Sequence, residues 1–246
     1  MKALIDGDVI VYSAGFSSDT AAREDEFGAS ECEPFSFCMN RVHCMIDSIL
    51  ETTQATEYQI FLSGRTNFRL DIYPDYKANR KDRGRPYWYD KIRDTLIFDY
   101  DAEVVEGIEA DDAMGIAQTS TTIICTNDKD LDNVPGLHYN WSPSRKCNGV
   151  YCLSEVESLR HFYTQILTGD GVDNIPGLYK LTGKMATKKF KEPINELLNE
   201  VDMFNYVKSV YAGCGIENFE DVYVYADCLW ILREDRLRWS ERVADI

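Results

Sequence analysis

Thr121-Thr-Ile-Ile-Cys-Thr-Asn-Asp-Lys-Asp130 decides the fold. Its first half, Thr121–Cys125, is an unbroken β-branched and apolar run, long enough for a strand and too short for a buried helix. Two acids, Asp128 and Asp130, follow within a loop's length. A strand apolar on both faces belongs to a parallel sheet covered by helices, and such sheets bind ligands beyond the carboxyl ends of their strands. The same pattern recurs outward in both directions. Ala3–Ile5 reads as a strand that runs straight into Asp6-Gly7-Asp8. Tyr58–Leu62, Glu103–Val105 and Leu137–Trp141 supply further strand candidates. Between them Val42, Met45, Ile46, Ile49 and Leu50 recur along one helix face. After about residue 153 the strand signal stops. Ile194, Leu197, Leu198, Val201, Phe204 and Val207 then repeat at helical spacing, as do Val222, Tyr225, Leu229 and Leu232. The expectation is an α/β chain: a mostly parallel central sheet flanked by helices, with a helical C-terminal portion.

The chain has 246 residues, a formal net charge of −16, 44% hydrophobic and 28% charged residues. It is too apolar for a disordered chain and large enough to fold without disulfides. The eight cysteines include no CxxC pair, so zinc-finger spacing is missing. The N-terminus carries acids at positions 6 and 8 in place of an apolar signal core, and no apolar run reaches membrane-spanning length. The expectation from these features is a cytoplasmic chain with its cysteines reduced. A uniformly basic nucleic-acid binder is excluded, but the charge is unevenly spread. Bases outnumber acids between residues 64 and 93, and residues 180–191 hold Lys180, Lys184, Lys188, Lys189 and Lys191 with no acid. Two basic islands in an acidic chain suggest two localised contacts for an anion.

Four acidic clusters sit at expected strand ends or loops: Asp6-Gly7-Asp8, Glu109-Ala110-Asp111-Asp112, Asp128-Lys129-Asp130, and Asp170 with Asp173. Converging carboxylates raise one another's pKa unless cations neutralise them. Oxygen donors without His or Cys select hard ions, Mg²⁺ or Mn²⁺, and His43, His138 and His161 fit no ligand pattern beside these acids. Each cluster also has a purely structural reading. Glu109, Asp111 and Asp112 suit a helix's first turn, Asp128 an N-cap, Asp6 and Asp8 a turn.

Taken in order, Asp6-Gly-Asp8, Tyr76-Lys-Ala-Asn-Arg80, Glu109-Ala-Asp-Asp112, Asn127-Asp-Lys-Asp130 and Gly169-Asp170-x-x-Asp173-Asn-Ile-Pro-Gly177 resemble the 5′→3′ exonuclease and flap endonuclease family. That family includes the 5′ nuclease domain of bacterial DNA polymerase I and the small phage enzymes, to which this compact chain looks most similar. The resemblance runs over residues 3–190. It implies a PIN-like nuclease core at 1–166, with a helical arch at about 73–93. Residues 167–246 then form a helical DNA-binding portion of the same compact unit, with a helix-hairpin-helix-like element. It implies a Mg²⁺-dependent enzyme with two ions, Mn²⁺ substituting, that hydrolyses DNA at 5′ ends or 5′ flaps and also RNA in RNA–DNA hybrids. For a phage-encoded enzyme the setting is the host cytoplasm, in replication or host-DNA degradation. By motif matching, Asp6, Glu109 and Asp111 bind the ion beside the attacking water. Asp128, Asp130, Asp170 and Asp173 hold the second, with Asp112 a ligand or its neighbour. Asp128 is the central catalytic acid. Lys77 and Arg80, expected on one helix face, steer the scissile phosphate. Tyr12, Tyr76 and Lys81 line the DNA path with Tyr73, Tyr87, Trp88 and Tyr89, and Lys184, Lys188 and Lys189 grip duplex backbone.

Two positions depart from the family pattern. The second strand's aromatic residue, Phe61, is followed by Leu62-Ser63 where the family has an acid; Asp71, Asp8 or a water are the candidates to replace it, and weaker metal binding without loss of activity is the expectation. In the hairpin Gly177-Leu-Tyr-Lys-Leu-Thr-Gly183-Lys184, Lys180 and Thr182 stand where the family has glycines, which puts a monovalent-ion site there in doubt. Two rivals follow. One is a DNA-structure binder with weakened chemistry. The other is a haloacid-dehalogenase-type phosphatase using Asp6 as nucleophile, which leaves Glu109–Asp112 and Asp128–Asp130 idle.

Overall fold

A computed structural model describes residues 1–20, 24–25, 28–29, 33–80, 84–143 and 148–244. In chain order the strands are β1 (Lys2–Asp6), β2 (Glu24–Asp25), β3 (Gly28–Ala29), β4 (Glu57–Asn67), β5 (Glu103–Gly107), β6 (Thr122–Cys125), β7 (Gly136–Asn140), β8 (Gly149–Leu153), β9 (Gly169–Asp170) and β10 (Ile175–Pro176). The α-helices are α1 (Gly7–Thr20), α2 (Phe35–Thr53), α3 (Phe68–Ile72), α4 (Tyr89–Asp99), α5 (Ala110–Ala117), α6 (Glu155–Thr168), α7 (Leu178–Thr182), α8 (Lys188–Lys191), α9 (Glu200–Gly213), α10 (Tyr223–Leu229) and α11 (Trp239–Arg242).

The chain divides into two compact units. One comprises Met1–Arg65, Arg83–Asp128 and Leu137–Tyr151, the other Thr66–Asp82, Lys129–Gly136 and Cys152–Ile246. The units interleave along the chain, whereas the sequence reading drew a single boundary at 166/167.

In the first unit six strands form a mostly parallel sheet in the order β5-β4-β1-β6-β7-β8. β1 pairs in parallel with β4 on one side (Asp6 opposite Phe61) and with β6 on the other (Ile5 opposite Cys125). The chain builds outward from β1 to β4 and β5, then crosses to β6 and continues away through β7. The strand order therefore reverses between β1 and β6, and a parallel sheet opens its ligand crevice at such a switch point. Ala3, Ile5, Ile60, Leu62, Ile123 and Cys125 are buried against Val42, Ile46 and Ile49 of α2 and Ile92 and Leu96 of α4. Gly7 is required where β1 turns into α1, because a Cβ there would meet Phe61 O at 2.6 Å.

The five expected strands are all present in the six-stranded sheet; its sixth strand, β8, and the two-residue pairs β2–β3 and β9–β10 were not expected. β8 is a short strand whose side chains alternate half-buried and exposed. Its Gly149-Val-Tyr-Cys-Leu153 carries a four-residue apolar run, yet as an edge strand it leaves Val150 and Cys152 exposed.

The second unit is mainly helical, as expected beyond residue 153, with one short antiparallel pair, β9–β10. Phe162 of α6 packs edge-on to Trp230, ring centroids 4.8 Å apart, and Tyr163 OH accepts from Trp239 Nε1 at 3.3 Å. α6 is closed at its N-terminus by a Ser154–Glu157 capping box. At its C-terminus Gly169 and Gly177 let two backbones touch: a Cβ on Gly177 would lie 2.2 Å from the Thr168 carbonyl carbon.

Candidate functional site

In the first unit the site grows from the end of β1. Asp6, the last residue of the central strand, is 2% exposed. One carboxylate oxygen accepts from Val9 N at 2.9 Å, the other from Thr126 Oγ at 2.7 Å. Thr126 follows β6, and its hydroxyl also accepts from Asp128 N at 2.9 Å, so one side chain ties Asp6 to the Asp128 loop. Burial, then the negative charge of Asp8, with a smaller push from Asp128, raises the Asp6 carboxyl from 3.8 to about 7, beyond what its two hydrogen bonds offset. Asp8 is itself raised, by burial and by Glu109. Its carboxylate accepts from Ser63 N at 3.0 Å and pairs with Arg93 Nη1 at 3.0 Å. Arg93 also donates to Ser63 O at 2.9 Å, and Ser63 Oγ accepts from Ala110 N at 2.9 Å, which joins β4 to the start of α5.

Asp8 and Asp128 thus act electrostatically on Asp6, and Glu109 on Asp8. Asp112 is fully buried and its carboxylate accepts from Glu109 N at 3.0 Å, a capping role. Asp111 is half-buried beside it on α5. Of the two candidate replacements for the strand-two acid, Asp8 is bound to Ser63, whereas Asp71 is exposed and lies in the other unit.

The second unit gathers the remaining acids around bases of its own. Asp173 receives Tyr76 OH at 3.1 Å, Lys77 Nζ at 3.7 Å and an Arg80 guanidinium hydrogen bond. Lys77 N donates to Asp173 O at 2.9 Å and Asn79 Nδ2 to Gly171 O at 2.8 Å, fastening residues 76–80 onto 171–173. Lys77 and Arg80 do not share a helix face. Lys77 sits in a turn with φ of 54°, and Ala78–Arg80 is a single 3₁₀ turn, because Asp173 draws both side chains inward from a tight loop. Tyr76 is 4% exposed, so its ring packs in the interior instead of facing a DNA path.

Asp130 and Asp170 share Lys129, whose Nζ is 3.1 Å from each. Burial acts to lower the Lys129 pKa, but the two carboxylates together hold it up. For Asp170, the Lys129 contact and the amides of Val172 and Asp173 outweigh burial and lower the pKa.

The basic islands differ. The first is largely consumed internally: Arg69 is 1% exposed and donates to Cys228 O and Trp230 O, while Lys77, Arg80 and Arg93 all pair with aspartates. The second stays open. Lys184, Lys188 and Lys189 are exposed after the left-handed Gly183 that ends α7. Tyr12 is partly exposed on α1, its ring 5.9 Å from Phe16 and 5.3 Å from Tyr89. Lys81 lies outside the described residues.

The residues of the first unit suit a hard divalent ion. Their donors are all oxygen, and a carboxyl pushed to about 7 marks charge that a cation would relieve. Among the described residues no three His, Cys, Asp or Glu side chains form a ready-made cage. Thr126, Ser63 and Arg93 were not singled out from sequence. The only signal for Thr126 is a hydroxyl two residues before Asp128.

Residues 2–136 match the family model of the 5′-3′ exonuclease N-terminal, resolvase-like domain. DNA polymerase I of Rhizobium leguminosarum is 30% identical over 165 residues, 61% of this chain and 16% of that protein. DNA polymerase I of Lactococcus lactis subsp. cremoris is 28% identical over 220 residues, 77% of this chain and 24% of that protein. The chain therefore spans less than a quarter of the length of these curated relatives. The bacteriophage T5 D15 protein, crystallised with metal ions, superposes with a TM-score of 0.64 at 16% identity, covering 93% of this chain and 88% of that one. A mutant of the T5 5′-exonuclease gives 0.61 at the same identity. At such identity the likeness establishes the fold, while the family model, which covers more than half of the sequence, establishes descent: the chain belongs to the 5′-3′ exonuclease family.

Proposed function

We propose that this chain is a divalent-metal-dependent 5′→3′ exonuclease and 5′-flap endonuclease that hydrolyses DNA phosphodiesters. The observation that carries the reading is Asp6: a buried carboxyl at the end of the central strand, flanked by Asp8 and Asp128 and pushed to about 7. Asp6, Glu109 and Asp111 would hold one Mg²⁺ or Mn²⁺, with Thr126 steadying Asp6 and Asp112 a ligand or its neighbour; Asp128, Asp130, Asp170 and Asp173 would hold or support a second. When bound, such ions supply Lewis acidity to the attacking water and the leaving oxygen. The chain's own residues orient and charge-match the substrate. Lys77 and Arg80 offer an ammonium and a forked guanidinium to the scissile phosphate, which competes with Asp173 for them. Lys184, Lys188 and Lys189 contact duplex backbone without reading sequence. Tyr12 stacks on a base.

RNA in RNA–DNA hybrids, and a role in phage replication or host-DNA degradation, belong to the same proposal. Product analysis on 5′-flap, nicked, blunt and hybrid substrates, with Mg²⁺ and with EDTA, tests it; EDTA-resistant cleavage, or none on any 5′ end, refutes it. The second reading, a DNA-structure binder with weakened chemistry, is favoured by the neutralisation of Asp130, Asp170 and Asp173 by lysine and arginine. Flap binding without Mg²⁺-dependent cleavage would establish it.

A further inference from the structure

Lys129 is the neighbour of Asp130 in sequence, yet its ammonium also reaches Asp170, bridging Asp130 Oδ1 and Asp170 Oδ2 at 3.1 Å each. Neutral donors also hold the two carboxylates. Gln165 Nε2 donates to Asp130 Oδ1 at 2.6 Å, and the amides of Val172 and Asp173 donate to Asp170 Oδ1 at 2.6 and 3.2 Å. The mobility of the partners is unequal. The Lys129 side chain is 56% exposed and that of Asp170 only 5%. An ammonium on a flexible four-carbon stem can swing into water, whereas the buried carboxylate cannot follow it.

We propose that Lys129 is a tethered counter-ion that holds Asp130 and Asp170 together in the metal-free protein and competes with a divalent ion for that pair. The inference rests on the reading of Asp130 and Asp170 as ligands. An ammonium and a divalent ion repel at contact distance, so both cannot occupy the gap between two carboxylates. Tethering gives the ammonium a high effective concentration, which no free monovalent cation of the medium matches. Only an ion of higher charge displaces it. The arrangement keeps the acids gathered without metal, excludes monovalent ions, and weakens divalent binding relative to two bare carboxylates.

The test is Mn²⁺ binding to the full chain without DNA, followed by electron paramagnetic resonance, together with melting in EDTA. Lys129→Met keeps the stem and removes the charge. It should bind Mn²⁺ about five- to tenfold more tightly at one site, the scale of one lost ion-pair competitor. It should also melt below the wild type in EDTA. Lys129→Gln should behave likewise, and Lys129→Arg should keep wild-type melting. Adding Asp170→Asn to Lys129→Met should cancel the gain in affinity. Unchanged or weaker Mn²⁺ binding by both Lys129→Met and Lys129→Gln overturns the proposal. Cleavage is not read here: a chain that binds Mn²⁺ as described but cuts no DNA removes the nuclease reading and leaves this one standing.

Discussion

Asp6 couples the sheet to pH. Its folded carboxyl titrates near 7 against an ordinary 3.8, so between those values the folded chain binds more protons than the unfolded one. Stability then falls as pH rises through that window. Melting in EDTA should therefore decline from pH 4 to 7 more steeply for the wild type than for Asp6→Asn, whose side chain carries no charge. Equal slopes would refute the assignment. Asp128→Asn should lower Mg²⁺-dependent cleavage by at least about a hundredfold while sparing DNA binding, checked by single-turnover cleavage beside an EDTA binding titration. These residues were legible because an acid after an apolar strand is a pattern along the chain. Thr126, Ser63 and Arg93 were not, since their contacts exist only once β4, β6, α4 and α5 stand side by side.

At the level of elements, the segment around α3 shows how a basic residue can serve the fold. Arg69 looked like part of an anion-binding island, yet it donates to Cys228 O at 2.9 Å and Trp230 O at 2.7 Å and closes the end of α10. Lys and Arg look alike in a charge count, and only burial separates a clamp from a contact. Arg69→Met should destabilise the chain by about 3 kcal/mol in urea unfolding, because it leaves two buried carbonyls without their donors. The turn at Lys77 was misread as helix for a related reason. Tyr76-Lys-Ala-Asn-Arg80 has acceptable helix spacing, but the pull of Asp173 and the left-handed Lys77 are tertiary effects. β8 escaped although Val150–Leu153 is an apolar run, because four residues between loops is a short signal. The sheet's inner strands, apolar on both faces, announced themselves.

Over the whole molecule, a net charge of −16 makes loose attraction to DNA unfavourable and leaves binding to local contacts. The exposed Lys184, Lys188 and Lys189 are the best placed of these. Replacing all three with Ala should weaken duplex binding across sequences alike and reduce the slope of log K against log salt by roughly two to three. A slope unchanged within error would move duplex binding elsewhere.

The interleaving of the two units bears on how the chain comes into being. Residues 66–82 and 129–136 leave the ribosome long before residues 152–246, with which they share a unit. Their unit can be completed only once that later chain has emerged. Such long-separation contacts slow folding. A fragment stopped at 166 would carry these two stretches without most of their companions, so a protease cut there should release no intact half.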